Sequence, residues 1–206
     1  MPRSSPTPKV PDNPQRLLDA ALMAFNEAGI QGASIQAICR AAGASIGSAY
    51  HHYGSKLGLA EALYVYGMDA HLQQLAAQLR SVRSPRAVVR ALIRCLLVWV
   101  EQNPAQARFI YANSIELQQR RSAKLLALRE RWAALLGPHL SELQHRAQQR
   151  KLPVELLQPL LLGPSHDLAR RWLEGAVARP PSDFAELLAK VAWQLLDAPA
   201  APVDPK

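Results

Sequence analysis

Aromatic and β-branched side chains are scarce in this chain: aromatics make up 6% of its 206 residues, while Ala and Leu dominate a hydrophobic fraction of 49%. Strands favour the residue types that are missing and helices those that abound, so a sheet is disfavoured and an all-α chain is expected. Cysteine is limited to Cys39 and Cys95. Both fall on the apolar faces of separate helical stretches, where packing is the expected role and a redox switch the alternative. No apolar run approaches the ~18 residues of a membrane-crossing helix, and the amino terminus has no hydrophobic signal core, so a cytoplasmic protein without membrane contact is expected. Glycine-rich phosphate loops, nucleophile elbows and paired carboxylates in a catalytic setting are missing too, and the chain reads as non-enzymatic and without a cofactor. His71, His139, His145 and His166 lack close Cys or carboxylate partners at metal-ligand spacing, apart from the neighbours His166 and Asp167, which point apart, so no metal site is expected. Repeats of solenoid length are absent.

Acidic residues are outnumbered, 16 against 24 Lys and Arg, for a net charge of +8. That suits a chain that meets nucleic acid. The excess is not concentrated at the amino-terminal end: residues 1–56 hold five Lys/Arg and three Asp/Glu, net +2, which leaves +6 for the remainder. Charge is therefore supporting evidence only.

What is present is most informative between Ser34 and Lys56, SIQAICRAAGASIGSAYHHYGSK. Ser34 is a good helix N-cap, and Ile35, Ile38, Cys39 and Ala42 recur at helical spacing. Gly43 can take the positive φ of a sharp turn, and Ser45 can cap a second helix through about Tyr53. The small residues Ala41, Ala42, Ala44 and Ala49 let the two helices cross closely, the geometry of a helix-turn-helix. The second helix has few buried anchors. Gly47, Ser48, Tyr50, His51 and His52 offer short hydrogen-bonding groups and rings that suit phosphates or base edges, while Tyr53 is assigned mainly to the core. Lys56 stands at the start of the next helix, where an ammonium and a helix amino terminus both favour an anion.

From Leu17 to about Leu63 the chain resembles the DNA-binding domain of TetR/AcrR-type bacterial transcriptional regulators. The likeness rests on LLDAALMAFNEAGIQGASIQAICRAAGAS as first two helices and turn, IGSAYHHYGSK as recognition helix, and LGLAEAL opening the fourth. By this resemblance Ser34, Ser45, Gly47, Ser48, Tyr50, His51 and Lys56 fall where the family touches DNA. Ile46 and Leu57 depart from the family's usual polar or basic residue and its usual Glu. The resemblance also implies that the larger part of the chain senses a small molecule and dimerises.

In chain order, a proline-punctuated arm at 1–12 precedes a helix-turn-helix domain at 13–57, a helical regulatory and dimerisation domain at 58–197 and a proline-spaced tail at 198–206. Asn13 and Pro14 are expected to open the first helix and Gly29 to end it. A long helix should follow Lys56, then one capped by Ser84 and Pro85 and another started at Asn103 and Pro104. From about Ser114 a further helix should run until Gly137 and Pro138 break or kink it. A bend is expected between Pro153 and Pro164. Ser182 should cap the last helix, with Phe184, Leu187, Leu188, Val191, Leu195 and Leu196 inward. Arginines 120, 121, 129 and 131 read as solvated faces with partners such as Glu116 and Glu130 on their own helices. Met68, His71, Trp99, Phe109, Tyr111 and Trp132 can line a cavity for an apolar molecule, or serve as plain core. Leu168, Trp172, Trp193 and Leu196 are candidates for a dimer interface. The expected function is a homodimeric, sequence-specific regulator, a repressor released from an inverted-repeat operator in double-stranded DNA by a small apolar or amphipathic effector. The alternative is an architectural DNA-binding protein without ligand response.

Overall fold

The structure, a computed structural model, describes residues 14–197. The arm at 1–12, the Asn13 cap and the tail at 198–206 lie outside the described residues. Among the described residues there are α-helices and short 3-10 turns and no strand.

Helix α1 (Pro14–Gly32) buries Leu17, Leu18, Ala21 and Phe25 along one stripe. Gly29 ends its main run as expected. Its φ of 68° interrupts the helix, after which a last turn resumes with Ile30 buried. Ser34 and Gly43 bound α2 (Ile35–Ala42) as expected: the Ser34 hydroxyl accepts from the Ala37 N–H, and Gly43 takes φ 66°. At α3 (Ile46–Tyr53) the Ser45 hydroxyl accepts from the Ser48 N–H at 3.0 Å, satisfying a donor that the first helical turn leaves open.

Helix α4 (Lys56–Leu79) starts almost directly on the end of α3. Gly58 makes that approach possible, since a Cβ there would lie 2.0 Å from the Tyr53 carbonyl oxygen. Further along, α4 crosses α6 (Pro104–Gln119) at Gly67. The Gln106 side chain fills the space a Cβ would take and donates to the Leu63 carbonyl at 2.9 Å. Helix α5 (Pro85–Gln102), capped by Ser84, is the most deeply surrounded element, with Val89, Ile93, Cys95, Leu97 and Val100 fully buried. It packs on α4, on α8 (Leu157–Leu173) and on α9 (Ala185–Asp197), while α7 (Ala123–Gln149) closes the body against α4.

Four expectations need correction. The break near Ser114 falls instead at residues 120–122, where Ser122 caps α7. Helix α7 then continues through Pro138, and α8 continues through Pro164, each losing one backbone N–H donor without ending. The last helix begins at Ala185, after a 3-10 turn (Pro181–Phe184) in which the Ser182 N–H and hydroxyl both donate to the Glu101 carboxylate. Its inner face is Ala185, Ala189, Ala192, Trp193 and Leu196, leaving Leu187 60% and Val191 49% exposed. The alanines let α9 lie close on α5, a gain in contact that outweighs burying the larger aliphatics. The arginines likewise pair across helices: Arg120 bonds Glu61 and Arg131 bonds Asp69, both on α4, while Arg129 donates to the carbonyls of Gln118 and Arg120.

Candidate nucleic-acid interface and cavity

Ala49 anchors α3 from beneath, and the Tyr53 hydroxyl donates to the Pro14 carbonyl at 3.0 Å. Tyr53 thereby locks the end of α3 to the start of α1. With the inner face committed, Gly47, Tyr50, His51 and His52 lie exposed on the outer one and Ser48 is half-buried beside them. Tyr50 is 47% exposed and Ile46 43%. Ser34 and Ser45, which the family resemblance places at DNA, spend their hydroxyls as acceptors for helix N–H groups. Lys56 is half-buried, and its ammonium donates to the carbonyls of Gln31 at 2.6 Å and Ala33 at 3.0 Å. It clamps the start of α4 to the end of α1. A further cation that the sequence reading passed over is Arg40, exposed on the last turn of α2.

A cavity of about 1130 Å³ opens in the larger helical body, lined mainly by α4 to α8. Five of the six expected residues line it: Met68, His71, Trp99, Tyr111 and Trp132. Phe109 does not. It is fully buried and stacks on Phe25 of α1 at 5.8 Å between ring centres, because one residue of helix turns the side chain about 100° away from its neighbours Ile110 and Tyr111, which do face the cavity. Asn26 adds a hydrogen bond from α1 to the Ala105 carbonyl at 2.9 Å, so α6 joins the two halves of the chain.

His71 lies against Trp99 at 5.2 Å and Trp132 at 5.3 Å. Burial, with a lesser effect from nearby His166, pushes its pKa down to about 4. The Tyr111 hydroxyl and His166 Nδ1 are 2.9 Å apart, and Arg170 covers the Tyr111 ring at 5.1 Å. Burial raises the Tyr111 pKa to about 12 and lowers that of His166, where the Arg170 charge acts in the same direction. At the junction of α6 and α7, Gln118 donates to the Tyr64 hydroxyl at 3.0 Å, beside Gln119, Arg121 and Arg129. The sequence reading missed this polar end; the turn residues at 120–122 are its only trace in the sequence. Cys39 and Cys95 are buried and free, their thiols raised by burial, that of Cys95 to about 11, which leaves little thiolate for redox chemistry.

Of the dimer candidates, Trp193 and Leu196 are buried within the chain, Trp193 with the Arg146 guanidinium over its ring at 5.3 Å. Leu168 and Trp172 are half-buried. The exposed apolar pair on α9 is Leu187 and Val191.

A small helix-turn-helix unit that shares a long helix with a larger, cavity-bearing helical body defines a two-part helical protein of the helix-turn-helix class. Residues 17–63 match the bacterial regulatory proteins of the tetR family, so the helix-turn-helix unit of this chain is similar to theirs. It is 41% identical over 92 residues to the HTH-type transcriptional regulator BetI of Yersinia pestis (strain Pestoides F), a match covering 41% of this chain and 46% of BetI. The chain thus spans less than half the length of that relative. The whole fold is similar to the fatty acid degradation regulator FadR of Bacillus halodurans, with a TM-score of 0.71 at 17% identity over 95% of this chain and 98% of that one. It is also similar to FadR of Bacillus subtilis, solved in complex with stearoyl-CoA, with a TM-score of 0.67 at 14% identity over 91% of this chain and all 100% of the other.

Proposed function

We propose that this chain is a sequence-specific, ligand-responsive transcriptional regulator that binds an inverted repeat in double-stranded DNA as a homodimer. The observation that carries the reading is the outer face of α3: Gly47, Tyr50, His51 and His52 stand exposed on a helix whose inner face is pinned through Ala49 and Tyr53. A rigid helix with small and hydrogen-bonding residues outward suits the major groove. One such helix reads few base pairs, and a twofold pair doubles the site. Lys56 has one N–H left for a phosphate after its two carbonyl bonds. The cavity favours ligand response over a purely architectural role, and the solution of the similarly folded FadR of Bacillus subtilis in complex with stearoyl-CoA supports that reading. Release of a repressor is the simplest outcome, since α4 both lines the cavity and carries the start of the DNA-binding unit's last helix.

Selection from a pool of random duplexes should enrich an inverted repeat. Tyr50→Ala should weaken binding to that repeat by about 1 to 3 kcal/mol per lost base contact and leave binding to scrambled DNA nearly unchanged. Failure to enrich any duplex, or an unchanged preference in Tyr50→Ala, removes the α3 face from recognition.

A further inference from the structure

The residues lining the cavity include no Asp and no Glu, yet they include Arg121, Arg129 and Arg170. Among the described residues none of these three arginines has a carboxylate partner. They are not equivalent. Arg170 lies over the Tyr111 ring. Arg121 and Arg129 line the exposed end of the cavity, where α6 meets α7, and Gln118 and Gln119 line the same end. The bonds that hold Arg129 end on two neutral carbonyls, of Gln118 and Arg120, so its charge is uncompensated. The nearby carboxylate of Glu61, 5% exposed, is already taken by Arg120. Away from this end the wall is apolar, with Leu96, Trp99, Trp132 and Leu136 among its residues. Two guanidiniums and two amides at one end of an apolar cavity, with no carboxylate in its lining, favour one ligand chemistry, an anion on a hydrophobic body.

We propose that the cavity takes an amphiphile with an anionic head, a carboxylate or a phosphate, and that Arg121 and Arg129 at the α6–α7 junction read the head while the aromatic wall takes the tail. This rests on the reading of the chain as a ligand-responsive regulator and names the effector class. An anion on Arg129 competes with the Gln118 and Arg120 carbonyls for its N–H groups. Because Arg120 is bonded to Glu61 on α4, the junction that the head group loosens is the one tied to the helix that begins at the DNA-binding unit.

The test titrates the full chain with decanoate, decyl phosphate, decanol and decyltrimethylammonium, followed by the fluorescence of Trp99 and Trp132, with operator binding measured in parallel. At least one of the two anions should bind about tenfold or more tightly than decanol, the expected size of one or two charge-assisted hydrogen bonds, and the cation should bind weakest. The tighter of decanoate and decyl phosphate identifies the head group. In Arg121→Gln with Arg129→Gln the anion preference should collapse to within about threefold, with decanol binding retained to show that the cavity still forms. Three results would overturn the proposal: tight binding of the cation, an anion preference that survives in the double variant, or its loss in Arg170→Gln instead. If no probe binds, the cavity does not take such chains and the proposal also fails. Operator binding that persists although the anion binds would sink the ligand-responsive reading and leave the anionic assignment standing, whereas displacement of operator by decanol or the cation alone would leave the regulator reading standing while the anionic assignment falls.

Discussion

His71 shows how one residue can be legible as a type and unreadable as a state. A histidine on the inner stripe of a helix among apolar neighbours suits a cavity wall, but only the placement of Trp99 and Trp132 against its ring shows that water is excluded. Burial lowers its pKa from 6.5 to about 4. The sign follows from linkage: between those values the unfolded chain binds the proton and the folded chain does not, so this contribution to stability is complete above about pH 6.5 and is lost as pH falls toward 4. A shift of that size is on the order of 3 kcal/mol. His71→Gln should therefore flatten the fall in urea midpoint between pH 7 and pH 4.5 relative to the parent chain. Equal slopes for the two proteins would mean that His71 does not titrate in this way.

At the scale of elements, α9 is the instructive case. Its sequence offers two overlapping apolar stripes, one through Leu187, Val191 and Leu195, the other through Ala189, Ala192, Trp193 and Leu196, and hydrophobicity alone favours the first. The structure buries the second and leaves Leu187 and Val191 outward, next to α8 with its half-buried Leu168 and Trp172. For the proposed homodimer this moves the candidate contact from Trp193 and Leu196 to Leu187 and Val191. Leu187→Lys with Val191→Lys should convert the dimer to a monomer in sedimentation at micromolar concentration while helicity is retained. Trp193→Ala should behave differently, costing about 3 to 5 kcal/mol of folding stability as a buried large-to-small change. A double variant that still sediments as a dimer would place the interface elsewhere.

For the molecule as a whole, the boundary expected between residues 57 and 58 falls within the first turns of one continuous helix, α4. The small amino-terminal unit is tied to the larger body by that helix, by the Phe25–Phe109 stack and by the bond from Asn26 to Ala105. A unit of about 45 residues buries so little surface that its stability alone is marginal. The two parts should unfold together. The four tryptophans, at positions 99, 132, 172 and 193, all lie in the larger body, so their fluorescence reports it alone while far-ultraviolet circular dichroism reports every helix. Coincident melting curves are expected for the parent chain. Phe109→Ala should split them, with ellipticity falling first. An early loss of ellipticity in the parent would show that the units fold independently.

Local signals determined much of this protein from its sequence. Ser34, Gly43, Ser45 and Ser84 mark helix ends through their own side-chain or backbone chemistry, which acts within three or four residues, and the helix-turn-helix was legible for that reason. Five cavity residues were readable as types for the same cause, being large, partly polar and on inner stripes. Tertiary structure decided what depends on partners distant in the chain. Lys56 reads as a free cation, but the carbonyls of Gln31 and Ala33 claim two of its protons. Phe109 reads as cavity lining until Phe25 is placed against it. Pro138 reads as a break or a kink and Pro164 as the edge of a bent segment, yet α7 and α8 run through them, since each proline removes one hydrogen bond while the packing of a whole helix face is kept. The rotation of α9 was settled by how closely its alanines approach α5, a matter of shape between two helices some ninety residues apart that no pattern within either one encodes.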